Sequence, residues 1–178
     1  MNCGSDAVIE KLKSGAIGPR EVLAELVCTN TALRQAARRL GQLYDDALAP
    51  TGLKATQVGL LAQIATSPEE DGQPGPTLQA LADRLSVSIS ALTHAMRPLV
   101  RDGLVSLTSD ARDRRTKRGS LTSLGKARLT EALVYWADAN QRVEMVLGSS
   151  AIDLRALADE VSSSSFLDAY QGRRALHP

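Results

Sequence analysis

A chain of 178 residues, 43% hydrophobic and 23% charged, has the composition of a folded globular protein with one domain, or one domain with helical extensions. No apolar run approaches the roughly 18–20 residues of a membrane span, and the first residues lack the basic-then-apolar order of a signal peptide, so cytoplasm is the expected compartment. The formal net charge is only +1, yet residues 84–128 hold ten Lys+Arg against three Asp, net +7, which leaves −6 for the rest.

Residues 1–18 read as an N-terminal extension, with a short helix over "DAVIEKLK" and no motif. Pro19 suits a first helical position, and nothing breaks the pattern before Pro50. Residues 19–50 therefore read as one helix of about 30 residues, some ~45 Å long. Leu26, Asn30, Leu33, Ala37, Leu40, Tyr44 and Ala47 step by 4 and 3 along it, a heptad-like seam that marks a dimerisation helix. "TGLKATQVGLLAQIATS" reads as a shorter amphipathic helix, and "PEEDGQPGP" as a loop.

Residues 51–122 form the central lobe. Thr77 caps a short helix that buries Leu78, Leu81, Ala82 and Leu85, and "LSVS" makes a tight turn. Ser88 caps a second helix with Ile89, Leu92, Met96, Leu99 and Val100, and Gly103 ends it. "LVSLTS" and "TKRGSLT" pair as a hairpin around the tip "DARDRR". Thr122 caps another long helix, whose Leu129, Leu133, Trp136, Asn140, Val143 and Leu147 repeat the 4-and-3 spacing. "AIDLRALADEVSSSSFLDAYQ" reads as a last helix, weakened by its serine run. Residues 123–178 are the C-terminal dimerisation helices. Both seams are expected to find no partner within the central lobe. The fold class is mainly α, an α+β winged helix with long flanking helices.

Two short helices joined by a tight turn make a helix-turn-helix, whose second helix fits the major groove. Ser88, Ser90 and Ala91 at its start let the backbone approach DNA, and Thr93, His94 and Arg97 share its exposed side. Pro98 should kink the helix just past that surface. The stretch "DARDRRTKRGSLT" follows directly, with Arg112, Arg114, Arg115, Lys117 and Arg118 in thirteen residues. A basic wing suits flanking phosphates and the negative potential of the minor groove. Asp110 and Asp113 would hold neighbouring arginines in extended poses.

"LADRLSVSISALTHAMRPLVRDGLVSLTSDARDRRTKRGSLTSLGKA" resembles the MarR family of bacterial transcription regulators. The resemblance rests on "LADRL", "RPLVRDGLV", "DARDRR" and "LTSLGKA", with "LRQAARRLGQLYDDAL" and "VYWADANQRVEMVLG" similar to the family's dimerisation helices, and it covers about residues 22–172. It implies a homodimer on a pseudo-palindromic double-stranded DNA operator. It also implies repression relieved by a small effector, aromatic or phenolic, or by oxidation, with a ligand pocket between the dimer arm and each DNA-binding lobe. Arg115 matches the family's minor-groove arginine, and Asp113 its supporting acid. Ser86 departs from a turn position where glycine is frequent, and His94 from a position where relatives carry a long polar residue.

One branch of the family senses peroxides through a first-helix cysteine paired with tyrosines. Here Cys28 has Ala32 four residues on and Val27 beside it, so it reads as a small packing residue, with a redox regulator as the alternative. Tyr44 and Trp136 could stack a planar ligand whose carboxylate pairs with Arg34 or Arg38, or could instead fill the dimer seam. No Ser/His/Asp, Cys/His or paired-carboxylate arrangement suggests an enzyme. Two cysteines and two histidines, far apart, suggest neither a disulfide framework nor a metal site, and no cofactor is expected. A winged helix that binds proteins instead of DNA remains the other alternative.

Overall fold

A computed structural model of the chain describes residues 3–18, 20–21, 28–68 and 75–174. The chain divides into two units, Met1–Leu40 and Gly41–Pro178. In the first, α1 covers Cys3–Lys13 and α2 begins at Thr29, running to Leu48 and so into the second unit. This corrects the expected single helix over 19–50. Cys28 is not helical; its carbonyl accepts the Ala32 amide at 3.1 Å, so it stands as the cap of α2. The reason is local: Thr29, Asn30 and Thr31 are residues whose side chains compete for backbone hydrogen bonds, and they favour helix starts over helix interiors. The apolar periodicity runs across this boundary without registering it. Pro19 and Leu26 lie outside the described residues.

In the second unit a 3₁₀ turn at Ala49–Thr51 closes α2, and Gly52 follows at φ 69°. Then come α3 (Ala55–Thr66), α4 (Leu78–Arg84), α5 (Ile89–Arg101), β1 (Val105–Ser109), β2 (Lys117–Leu121), α6 (Ser123–Leu147), α7 (Ser150–Val161) and α8 (Ser164–Arg174). Asp45 Oδ1 receives the Ala55 amide at 2.7 Å and so ties the end of α2 to the start of α3. The three caps expected from sequence form. Thr77, Ser88 and Thr122 accept the amides of Ala80, Ala91 and Gly125 at 3.0, 3.2 and 2.9 Å. Each is worth about 1 kcal/mol.

One core holds this unit, with Leu48, Leu61, Leu81, Leu92, Met96 and Leu99 fully enclosed. Two glycines are required by close approach. A Cβ on Gly125 would meet the Leu104 carbonyl oxygen at 1.9 Å, and one on Gly75 would meet that of Gly119 at 2.0 Å. These contacts seat the start of α6 on the α5–β1 junction and strap residue 75 onto β2. Arg128 adds a bond from its Nη2 to the Thr51 carbonyl.

Two further expectations are corrected here. The seam of α6 is not partnerless: Leu129 and Ala132 are buried in the lobe's core and Trp136 packs against it. Other large apolar side chains of α6 stay exposed, among them Leu133, Val134, Met145 and Val146. The last helix is two helices. Ser162 and Ser163 hydrogen-bond back to Ala158 O and Glu160 O, and Ser163 Oγ then accepts the Phe166 amide at 3.1 Å. The serine run caps α8 and does not merely weaken one long helix. Among the described residues no helix is long and apolar enough to cross a membrane.

Candidate nucleic-acid interface

The turn between α4 and α5 is built on Ser86, whose φ of 52° puts a non-glycine residue in the left-handed region. This explains why glycine suits that position. α5 then buries Leu92, Met96 and Leu99 and exposes Ser90, Ala91, Thr93, His94 and Arg97 on the opposite side. The Ser88 hydroxyl is committed to its cap, so Ser88 shapes the approach surface through its backbone. Thr93 Oγ1 donates to the Ile89 carbonyl at 2.7 Å and is left with acceptor capacity outward. Pro98 lies within α5, which continues through it to Arg101. Arg101 pairs with Asp102 at 2.7 Å, which raises the guanidinium's pKa and lowers the carboxyl's through the shared hydrogen bond.

β1 and β2 pair antiparallel, from Val105 opposite Leu121 to Ser109 opposite Lys117. The tip is folded by two aspartates. Asp113 receives the Arg115 amide at 2.9 Å on Oδ1 and the Thr116 hydroxyl at 3.1 Å on Oδ2. Asp110 Oδ1 receives the amides of Arg112 and Asp113 at 2.8 and 3.1 Å, while its Oδ2 receives Arg118 Nε at 2.6 Å. The Arg118 hydrogen bond and the two amides hold the Asp110 carboxyl down at about 2.

Arg118 corrects the reading of the basic stretch. It is only 4% exposed, and its Nη1 donates to the Gly75 carbonyl at 2.8 Å. It is a brace under the wing, not a cation at its tip. Asp113 likewise holds backbone and a hydroxyl in place of an arginine side chain. The period-2 alternation of β2 was the available signal, since Lys117 outward puts Arg118 inward. Lys117 Nζ donates across the hairpin to Ser109 Oγ at 2.8 Å. Arg112, Arg114 and Arg115 are exposed at the tip, and the side chains of Arg114 and Arg115 bond to no other described residue.

The other expected site residues fall elsewhere. Tyr44 and Trp136 meet with ring centroids 4.7 Å apart, tilted by 55°, and Tyr44 donates to Asn140 Oδ1 at 3.0 Å. Rings in contact leave no slot for a third ring between them. Burial first, then the Glu144 charge, pushes the Tyr44 hydroxyl above its ordinary pKa. Arg34 and Arg38 are exposed and belong to the first unit. Cys28 is exposed in the single chain and stands at the cap of α2, outside the helix on which it was expected to pack. Its thiol pKa is lowered, first by the Thr31 hydroxyl and then by the Thr31 and Asn30 amides. Among the described residues no group of three or more His, Cys, Asp or Glu could hold a metal.

A family model described as the MarR family matches residues 51–116, from the 3₁₀ turn after α2 to the tip of the wing. A transcriptional regulator of M. tuberculosis, MosR, solved in complex with DNA, is 34% identical. The match covers 85% of this chain and 99% of that one, with a TM-score of 0.66. This chain belongs to the MarR family. Such members are transcriptional regulators and not enzymes, and the winged helix-turn-helix built here is that of a DNA-binding regulator. A second structure of MosR is 35% identical over 75% of this chain and 92% of that one, at a TM-score of 0.62. A mutant of E. coli MarR, solved with operator DNA, shares the fold of this regulator at 23% identity. That match covers 77% of this chain and 95% of that one, with a TM-score of 0.67. Comparison with curated proteins returns no match.

Proposed function

We propose that this MarR-family regulator is a homodimeric repressor that binds a pseudo-palindromic DNA operator through α5 and the wing, and that a small molecule releases it. The observation that carries the reading is the wing: two arginines at its tip that bond to no other described side chain, held out by a buried ion pair at its base. α5 beside it offers Ser90, Ala91, Thr93, His94 and Arg97 to the major groove. Support for repression comes from CouR, described as a transcriptional repressor bound to a 23-mer duplex and 25% identical over 79% of this chain. The DNA complex of MosR supports the partner. Cytoplasm, the compartment expected from sequence, is part of the same proposal.

Support for the homodimer comes from the exposed apolar residues of α6, α7 and α8, including Leu133, Val134, Ile152, Leu157, Phe166 and Leu167. Large exposed apolar side chains in this number on three consecutive helices are characteristic of a protein–protein interface. Leu133→Glu is expected to yield monomers in sedimentation; a dimer of unchanged stability would overturn the interface. Selection of bound duplexes from a random library, followed by titration at several salt concentrations, tests the DNA reading. Absence of salt-dependent binding to any duplex would leave the protein-interaction module standing in its place.

A second reading has its own observation. The exposed Cys28 thiol, with its lowered pKa, is suited to oxidation. Peroxide-dependent loss of operator binding in the native protein but not in Cys28→Ser would select it over a small-molecule inducer.

A further inference from the structure

From Leu85 to Met96, the turn before α5 and its first two turns, the chain holds no Asp, Glu, Lys, Arg, Asn or Gln. Residues 86–91 are all exposed. The charged side chains just before this stretch are engaged elsewhere. Arg84 Nη1 donates to Ser67 Oγ at 2.7 Å, and Asp83 Oδ1 accepts from Gln79 Nε2 at 2.8 Å. The first cation after it is Arg97. The start of α5 therefore lacks every residue type that pairs in bidentate fashion with guanine or adenine, and every acid that accepts from cytosine.

Hydroxyls do not fill the gap. Ser88 Oγ accepts the Ala91 amide, and Thr93 Oγ1 donates to the Ile89 carbonyl. A hydroxyl also donates or accepts with equal ease, so it fits more than one base. What the surface presents instead is apolar. Val87 and Ile89 flank the cap Ser88, and each is 43% exposed. Both are β-branched and stiff at χ1, so immobilising them against a partner costs little entropy. On the major-groove edge of the bases one group is apolar, the 5-methyl of thymine. Burying one methyl against an aliphatic side chain is worth about fourfold in affinity.

We propose that Val87 and Ile89 read thymine 5-methyl groups, so that each half-site carries thymine under the start of α5 and is selected there by its methyls, not by a hydrogen-bonding edge. The inference rests on the proposed DNA binding through α5; it adds which chemical group of the DNA these two residues select.

The test takes a duplex selected from a random library and replaces its thymines one position at a time, in both half-sites, with deoxyuridine. Deoxyuridine keeps every hydrogen-bonding group of thymine and lacks only the methyl. Titration with the full-length native protein is expected to show a loss of about fourfold per methyl at the positions under the start of α5, and so about 16-fold when both half-sites are changed. At the same positions 5-methylcytosine should bind more tightly than cytosine by a similar factor. Val87→Ser and Ile89→Ser should each bind the thymine duplex more weakly and lose the deoxyuridine penalty at the position each one contacts. The titration of the native protein decides the matter alone if either variant fails to fold. Equal binding of thymine and deoxyuridine at every position overturns the reading, as does a penalty that persists undiminished in both folded variants. Absence of binding to any duplex brings down the DNA-binding function and this reading with it, whereas tight binding indifferent to the methyls brings down this reading alone.

Discussion

Arg115 and Arg118 are three residues apart in one basic stretch, and they do opposite work. Arg118 at the wing's base is buried, fixed at 2.6 Å to Asp110 and at 2.8 Å to Gly75. Arg115 at the tip is exposed, and its side chain bonds to no other described residue. The same side chain serves as a structural brace where water is excluded and as a free cation where it is not. Burying a charge is costly unless it is paired, so the pairing at the base is obligatory. At the tip the hydrated guanidinium keeps its five donors for an incoming anion. Rigidity at the base is what makes the tip usable: a cation on a disordered loop would lose part of its binding energy to ordering.

The largest effect should come from breaking the base. Arg118→Met leaves the Asp110 carboxylate without its guanidinium, and the melting temperature is expected to fall by roughly 5–10 °C. DNA affinity should fall with it on every sequence, because the whole wing is displaced. Calorimetry and duplex titration on the same preparation check both. Asp110→Asn in the same background should recover part of the stability, and no recovery would mean that the pair is not the brace.

Arg115→Ala should leave the melting temperature alone and cost about 1–3 kcal/mol of operator binding, more than on scrambled duplex, since a minor-groove arginine reads width. His94→Ala, on the exposed side of α5, should relax preference at one base position per half-site and cost less, because an imidazole cannot make arginine's bidentate pair with guanine. If Arg115→Ala binds both duplexes like the native protein, the tip is a solvated loop and the contrast with Arg118 is only one of burial.

Lys117→Ala sharpens the comparison from between the two. Its ammonium lies against Ser109 and remains exposed, so it suits a phosphate contact. A dimer then loses two contacts, and the slope of log affinity against log salt should shrink by about two units at ~0.9 per phosphate. An unchanged slope would remove Lys117 from the interface.

The pH response of the base is smaller still near neutrality. Asp110 titrates in the folded protein at about 2, below its ordinary value of 3.8. Its contribution to stability is therefore complete above about pH 4 and is lost as pH falls through 2. Asp110→Asn should flatten acid unfolding over that window and change nothing in its slope at pH 6–8. The smallest effect is expected at Ser86, where glycine relieves left-handed strain but adds unfolded-state entropy. Ser86→Gly should move stability by no more than about 1 kcal/mol.

Much of the molecule was legible locally. Thr77, Ser88 and Thr122 announced three helix starts because a cap is a contact between residues three apart. The hairpin's strands and the glycine-like demand at Ser86 were equally short-range. The family resemblance carried by "LADRL", "RPLVRDGLV" and "DARDRR" holds. What failed were inferences from periodicity carried past its reach. The 4-and-3 spacing joined residues 19–28 to a helix that starts at Thr29, and it assigned Leu129 and Trp136 wholly to a dimer seam. Cys28 reads as buried because its neighbours are apolar, yet a cap residue sits outside the helix whose face it seemed to share.

By itself the sequence determined the order of helices and strands from α3 through α6, the caps, the turn at Ser86 and the family, all of which depend on neighbours within a few positions or on a contiguous motif. Only the tertiary structure decided what the inward-facing cation of the basic stretch braces. Arg118 is committed by Gly75, 43 residues away along the chain. No local pattern carries that contact, because the charge pays its desolvation to a partner that folding alone brings near.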